Sequence, residues 1–469
     1  MGSLTSPPVE YSSFISKWCH SAPASCSTER LWATGSPESV HSPPWSWSAA
    51  ADAIDATQLS NKLVSSPFEQ EDAVLRVSAL SAAPRFSPAT ETVDRVTLEG
   101  LVKSREGVSF LLGLRGEEAA SCIEVLDEVI GSTEKSSLKC RCLEVLRKLC
   151  GVTGLLPYSF HLSSRSLKRK GRRPEAAGGY ADIWRGDYDG REVAVKVFRG
   201  YDSSGVPPLD MKALLKEAVV WKHLRHPNIV PFVGIDTEMY PLSLVCEWMP
   251  HGTITAYILS DPTADRLKLL KDIAEGLQYL HDMNVVHGDL KGANVLINDK
   301  HVACLADFGL ATLSHHGKLT TLSVTAWSPR WTAPEVFDPE QFGLTRATLS
   351  SQSDIYSWSM VAWEVFSGLL PFHDCGHPGA IPWRVLSGMR PPRPAEALTV
   401  GLTDDVWELM QRCWQPDPRV RPRISDVLTC LADAIQHATL ARLEGYLTSP
   451  LSIVFAESDL HDLFGTNFV

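Results

Sequence analysis

The stretch Val286-His-Gly-Asp-Leu-Lys-Gly-Ala-Asn-Val-Leu-Ile297 decides how this chain is read. It places Asp289, Lys291 and Asn294 at fixed short intervals and then runs into an apolar, strand-like segment. A second acidic signal, Asp307-Phe308-Gly309, follows within one hairpin's length. Two oxygen-bearing side chains able to hold a divalent cation, beside a carboxylate free to receive a proton, are what phosphoryl transfer asks of a protein. That chemistry leaves the protein little covalent work, so positioning and charge neutralisation dominate. The stretch therefore implies an ATP-dependent phosphotransferase.

Composition bounds the alternatives. With 469 residues the chain exceeds one compact core, and two or three units are expected. A content of 44% hydrophobic and 21% charged residues is that of an ordinary soluble globular protein. The formal net charge of -11 leaves no electrostatic footprint for nucleic acid. No apolar run reaches the length of about eighteen residues that a membrane span needs. The start Met1-Gly-Ser-Leu-Thr-Ser-Pro-Pro lacks the charged and apolar regions of a signal peptide. Gly2 with Ser6 matches the loose myristoylation pattern, a short pattern that often arises by chance. The 11 cysteines include no Cys-x-x-Cys pair, and Cys140 and Cys142 fall at helix positions that point apart. Reduced thiols in a cytoplasmic protein are the expectation.

Outward from the central stretch, four segments are expected. Residues 1–91 are rich in Ser, Pro and Ala and read as a mostly disordered tail. Trp18, Trp32, Trp45 and Trp47 stand out there, and short docking motifs for partners are the functional alternative. Residues 92–165 turn helical. Ile123, Leu126 and Val129/Ile130 recur at helical steps after Glu117 and Glu118, and Gly131 is expected to close that helix. Leu138, Cys142, Val145/Leu146 and Leu149 repeat the pattern up to Gly151. Two short helices can bury such stripes only against each other and a neighbour, for which the following domain is a candidate. The basic cluster Lys168-Arg-Lys170 with Arg172-Arg173 reads as a solvated lead-in, with nuclear entry as the weaker alternative.

Residues 166–439 form one α+β unit in which a small β-rich part precedes a larger helical part. A hairpin is expected from Ala181–Gly186 and Arg191–Phe198 around the turn Asp187-Tyr-Asp-Gly190. A helix with Leu214, Leu215, Ala218, Trp221 and Leu224 on its apolar side follows. Strands at Ile229–Ile235 and Leu242–Glu247 and helices at Ala264–Met283, Asp354–Ser367, Thr403–Cys413 and Arg423–His437 complete the unit. Residues 440–469 read as a C-terminal tail.

Taken together, residues 174–437 resemble a eukaryotic protein kinase domain of the tyrosine-kinase-like Ser/Thr branch, because the family's signatures occur in family order. The runs Gly178-Gly-Tyr-Ala-Asp-Ile-Trp-Arg-Gly186 and His287-Gly-Asp-Leu-Lys-Gly-Ala-Asn294 are also similar to expanded kinases of mushroom-type fungi. The resemblance implies a bilobal kinase fold, Mg²⁺ and ATP as cofactors, and protein substrates. By it, Gly178 belongs to the loop over the ATP phosphates, where Ala176 and Ala181 replace the outer glycines. Lys196, in Val193-Ala-Val-Lys196, grips phosphates and pairs with Glu217. Ile183, Ala194 and Leu296 sandwich adenine. Cys246 is the gatekeeper, and Glu247 and Met249 offer hinge backbone groups. Asp289 receives or orients the substrate's proton, Lys291 balances phosphoryl charge, and Asn294 and Asp307 hold Mg²⁺.

Ser328-Pro-Arg-Trp-Thr-Ala-Pro-Glu335 resembles the family's peptide-docking segment, with Glu335 expected to pair with Arg421 and Asp354 to hold the catalytic loop from below. Lys291 and Ser328 match the Ser/Thr pattern, with dual specificity left open. The departure is Gly288, where many kinases carry the Arg that clamps a phosphorylated activation loop. Activity independent of that clamp is the expectation. A pseudokinase or scaffold, binding nucleotide or partners without catalysis, is the alternative.

Overall fold

The computed structural model describes residues 95–133, 135–163, 166–177, 181–198, 211–240, 243–308, 328–395 and 397–448. The tail 1–91, with Gly2, Ser6 and its tryptophans, lies outside them. Alternation along two neighbouring strands founds the β-rich part. The strands are β1 (Leu167–Arg169), β2 (Ala176–Ala177), β3 (Ala181–Tyr188), β4 (Arg191–Phe198), β5 (Phe232–Asp236) and β6 (Ser243–Glu247). They form an antiparallel sheet in the order β1-β3-β4-β6-β5, with β2 added to β3. The β3–β4 hairpin closes on Asp189 (φ 49°) and Gly190 (φ 79°), the left-handed pair that suits strand twist. Period two then divides β4. Val193, Val195 and Val197 join a small cluster with Leu167 and Val245, while Ala194, Lys196 and Phe198 face the other way.

The helical part is built around α9 (Ser351–Ser367), which is buried on all sides from Ser353 to Phe366. A Ser350/Ser353 capping box starts it, and Gly368 at φ 71° ends it. The other helices of this part are α6 (Ile254–Ser260), α7 (Arg266–Asp282), α8 (Pro334–Phe337), α10 (Ile381–Leu386), α11 (Asp404–Cys413) and α12 (Ile424–Thr448), of which α6, α7 and α11 pack on α9, and α5 (Met211–His223) lies against the sheet. The short hairpin β7 (Val295–Ile297) and β8 (Ala303–Leu305) lies between the two parts. The resulting architecture is a β-rich lobe over a helical lobe. Helix α12 continues past His437, so the expected boundary at 439 falls within a helix. Its buried residues Val427, Leu431 and Ala434 all belong to the part before that boundary.

Among the described residues four helices precede the sheet where two were expected: α1 (Arg95–Leu101), α2 (Arg105–Gly113), α3 (Gly116–Ser132) and α4 (Ser136–Thr153). The first two are short enough that packing of residues such as Leu98 and Leu111, rather than periodicity, makes them helical. Neither expected glycine stop holds. Gly131 sits in the last turn of α3, and Gly151 lies inside α4, which ends on Gly154 at φ 76°. Helices α3 and α4 bury their stripes in a core continuous with that of the sheet and helices. Among the described residues no helix is long and apolar enough to cross a membrane.

Candidate active site

The first part of the loop of residues 286–294 is held from beneath by the Asp354 carboxylate. Asp354, in the first turn of α9, accepts from the backbone N–H of His287 (2.9 Å) and of Gly288 (2.8 Å), and His281 Nε2 lies 2.9 Å from it. Asp354 is fully buried, so these donors replace the water it lost. This is the role expected of it. Gly288 sits at φ 74°, a left-handed conformation in which a side chain would be strained.

Above this support three predicted residues meet. Lys291 Nζ lies 2.6 Å from Asp289 Oδ2 and donates to Ser328 Oγ at 2.8 Å. Asn294 Nδ2 donates to the Asp289 backbone carbonyl (2.8 Å) and to Asp289 Oδ2 (3.2 Å). With its nitrogen engaged in this way, the amide oxygen of Asn294 is the atom left for a cation. Asp307, at φ 55°, comes from the segment after β8 and keeps 36% of its side chain exposed. Burial tends to raise its pKa, but the charges of Lys196, Lys291 and His287 and a hydrogen bond from Lys196 hold it below the usual carboxylate range.

One expected pairing is different. Lys196 Nζ donates to Asp307 Oδ1 at 2.7 Å, whereas both carboxylate oxygens of Glu217 on α5 are buried without a hydrogen-bond partner among the described residues. Lys196 and Glu217 still lie near enough for their charges to act on each other. Burial disfavours the Lys196 charge, yet Asp307 and Glu217 more than offset it, so Lys196 stays cationic. Burial also pushes Glu217 up to about 7, against the pull of Lys196. The better-placed Asp307, reaching in from the other lobe, takes the hydrogen bond.

In the sheet, the register sets Ala194 opposite Cys246 and Lys196 opposite Ile183 and Leu244. Ile183, Ala194 and Leu296 are half-buried, Cys246 and Met249 are buried, and Glu247 is exposed at the end of β6. Burial raises the Cys246 thiol to about 12, which removes it as a nucleophile. Gly178 lies outside the described residues.

Glu364 was not singled out from sequence. It is buried in α9, where it accepts from Thr255 Oγ1 (2.8 Å), Gly292 N (3.1 Å) and Trp331 Nε1 (3.0 Å). It thereby joins the catalytic loop to the segment containing Ser328. An acidic residue within the apolar run Met360-Val-Ala-Trp-Glu-Val-Phe366 was the available signal. The Glu335–Arg421 bridge forms as expected, with two contacts of 2.7 Å.

This geometry has a family. The model of protein tyrosine and serine/threonine kinases matches residues 174–431. The chain belongs to the protein kinase family. Serine/threonine-protein kinase STY17 of Arabidopsis thaliana is 30% identical over 265 residues, 56% of this chain and 44% of that protein. Probable serine/threonine-protein kinase drkD of Dictyostelium discoideum is 34% identical over 55% of this chain and 19% of its own length. Tyrosine-protein kinase Abl of Drosophila melanogaster is 29% identical over 56% of this chain and 16% of its own. This kinase domain thus aligns with less than half of each relative, and the helices α1–α4 lie outside the matched region.

Proposed function

We propose that the chain is a protein serine/threonine kinase that transfers the γ-phosphoryl group of ATP to protein hydroxyls with Mg²⁺. The observation that carries this reading is Lys291, which reaches Asp289 of the catalytic loop and Ser328 of the peptide-docking segment at once. Small-molecule phosphotransferases need the first contact but not the second. The curated serine/threonine kinases among the relatives support the same class.

The residues fit the cofactor. Asp307 offers a carboxylate with an exposed face and Asn294 an amide oxygen, and oxygen donors suit a hard cation. Mg²⁺ held there would shield the charge of the phosphate oxygens. Ile183, Ala194 and Leu296 would flank the purine, and the backbone of Glu247 and Met249 would bind its edge. Gly178 would lie over the phosphates. Lys196 would grip phosphate oxygens, with Glu217 as its alternative anion. Asp289 would accept or orient the proton of the attacking hydroxyl, and Lys291 would balance the charge of the moving phosphoryl group. A site in the cytoplasm agrees with the described cysteines all being free.

The assay compares wild type with Asp289→Asn and Asp307→Asn on peptides that differ only in carrying Ser, Thr or Tyr. Transfer to Ser and Thr peptides, lost in both variants, is expected. Equal incorporation in all three proteins would sink the reading, and nucleotide binding without transfer would assign a binding module instead. Gly288 further implies activity without the loop clamp. The hydroxyls Ser314, Thr320, Thr321, Ser323 and Thr325 lie outside the described residues. Replacing them all by Ala should leave catalysis, and total loss would contradict the idea.

A further inference from the structure

Of the helices outside the family match, α3 and α4 meet the helix that carries Glu217. Helix α4 packs along α5, and Gly151 is a glycine where a Cβ would overlap Lys216, the residue before Glu217. From α3, Asp127 reaches the end of α5. Its Oδ1 lies 3.0 Å from His223 Nε2, an ion-pair distance without the straight alignment of a hydrogen bond, and its Oδ2 accepts from Ser159 Oγ at 2.7 Å. Next to this pair Phe160, fully buried, stands edge-on to His223 (ring centroids 5.9 Å) and against Phe232 (6.4 Å). The aromatic contacts continue from Phe232 to Trp221 on α5 (5.3 Å) and from Trp221 to Phe308 (5.8 Å), the residue after Asp307. The following backbone docks on β5, the edge strand of the sheet. Leu162 N donates to Ile235 O at 3.0 Å, and Gly234 leaves the space that the Leu162 side chain fills.

We propose that Asp127 and Phe160 are positioning residues for the phosphoryl-transfer site, and that α3, α4 and residues 158–162 form an intramolecular clamp setting where α5 holds Glu217. The need for a clamp is physical. A buried carboxylate with no hydrogen-bond partner is costly to hold in place, and water would release it. Helix α5 has 13 residues, a length that packing must stabilise. The sheet covers one side of it, and α4 with Asp127 and Phe160 supplies the other. Asp127 and Phe160 touch no reacting group, so they act through α5, which Asp127 meets at His223 and Phe160 meets at His223 and, by way of Phe232, at Trp221.

This inference rests on the kinase reading of the site, and its test separates the two. In the full chain, the dissociation constant of a fluorescent ATP analogue with Mg²⁺ is measured for Asp127→Asn and Phe160→Leu, each alone and combined with Glu217→Gln. Amide hydrogen exchange of residues 211–223 is followed against that of residues 266–282. Each variant should weaken nucleotide binding about fivefold, in the range of couplings within one contact network. It should also speed exchange in α5 and leave α7 unchanged. With Glu217→Gln present, the same substitutions should have no further effect on binding. Glu128→Ala, on the exposed side of α3, should change neither reading. Equal weakening with and without Glu217→Gln would overturn the proposal, because a merely structural role is additive. So would unchanged binding and exchange in both variants. If the wild type binds no nucleotide, the kinase reading falls, and the exchange of α5 alone decides for or against the clamp.

Discussion

Glu335→Ala should be strongly destabilising in the helical lobe. Arg421 has five N–H donors, and all five are used. Nε donates to Gln415 O (2.8 Å), Nη1 to Glu335 Oε1 (2.7 Å) and Gln352 O (2.9 Å), and Nη2 to Glu335 Oε2 (2.7 Å) and Pro416 O (3.1 Å). The two side chains are 0% and 2% exposed, so no water can replace a lost partner. Removing Glu335 leaves a buried guanidinium without its counter-charge, at a cost of about 3–5 kcal/mol. For a domain of this size each kcal/mol lowers the melting temperature by about 2–4 °C, so a fall of roughly 6–20 °C is expected. Scanning calorimetry at fixed scan rate on the full chain measures it. The double variant Glu335→Leu with Arg421→Met should recover only part of the loss, because the carbonyls of Gln352, Gln415 and Pro416 lose their donor. A shift below about 2 °C for Glu335→Ala would refute the reasoning, since the pair would then be no more than a surface contact.

Three further outcomes are expected. Gly288→Arg forces a side chain onto φ 74° and should lower stability by about 1–2 kcal/mol, read as a lower urea midpoint at unchanged slope, and an unmoved midpoint would contradict it. Glu217 is pushed up to about 7 by burial, so the folded protein holds its proton more tightly than the unfolded chain. Wild type should therefore lose stability as pH rises from about 4.5 to about 7, and the advantage of Glu217→Gln should grow across that window, whereas a flat difference would be the wrong sign of coupling. Gly292→Ala would drive a Cβ into the Glu364 carboxylate, and loss of its hydrogen bond should reduce kcat about tenfold or more with nucleotide affinity kept, as steady-state kinetics would show.

Much of the candidate site was legible because the residues that the kinase reading invokes lie at short local spacings. Asp289, Lys291 and Asn294 are within one loop, and any fold that closes that loop brings them together. The hairpin of β3 and β4 was legible for a similar reason, since alternation and the Asp189-Gly190 turn are both local. Helix ends were less so. Gly131 and Gly151 looked like stops, but a glycine within a helix serves equally where a neighbour needs room, as Lys216 does at Gly151. Glu364 was missed because its meaning depends on Thr255, Gly292 and Trp331, which are far from it in the chain.

The sequence by itself determined the two-lobed class and the unusual Gly288, and it supplied the catalytic set proposed above, because each rests on residue identity at short range. Only the tertiary structure decided which acid Lys196 bonds, since Asp307 and Glu217 come from distant segments and the fold brings the Asp307 oxygen within hydrogen-bond distance. It alone also decided where the N-terminal helices belong. Their apolar stripes required a partner, but a stripe carries no address. The fit of Asp127 to His223, Phe160 to Phe232 and Leu162 to Gly234 supplies one, through shape and charge that arise only when distant segments meet.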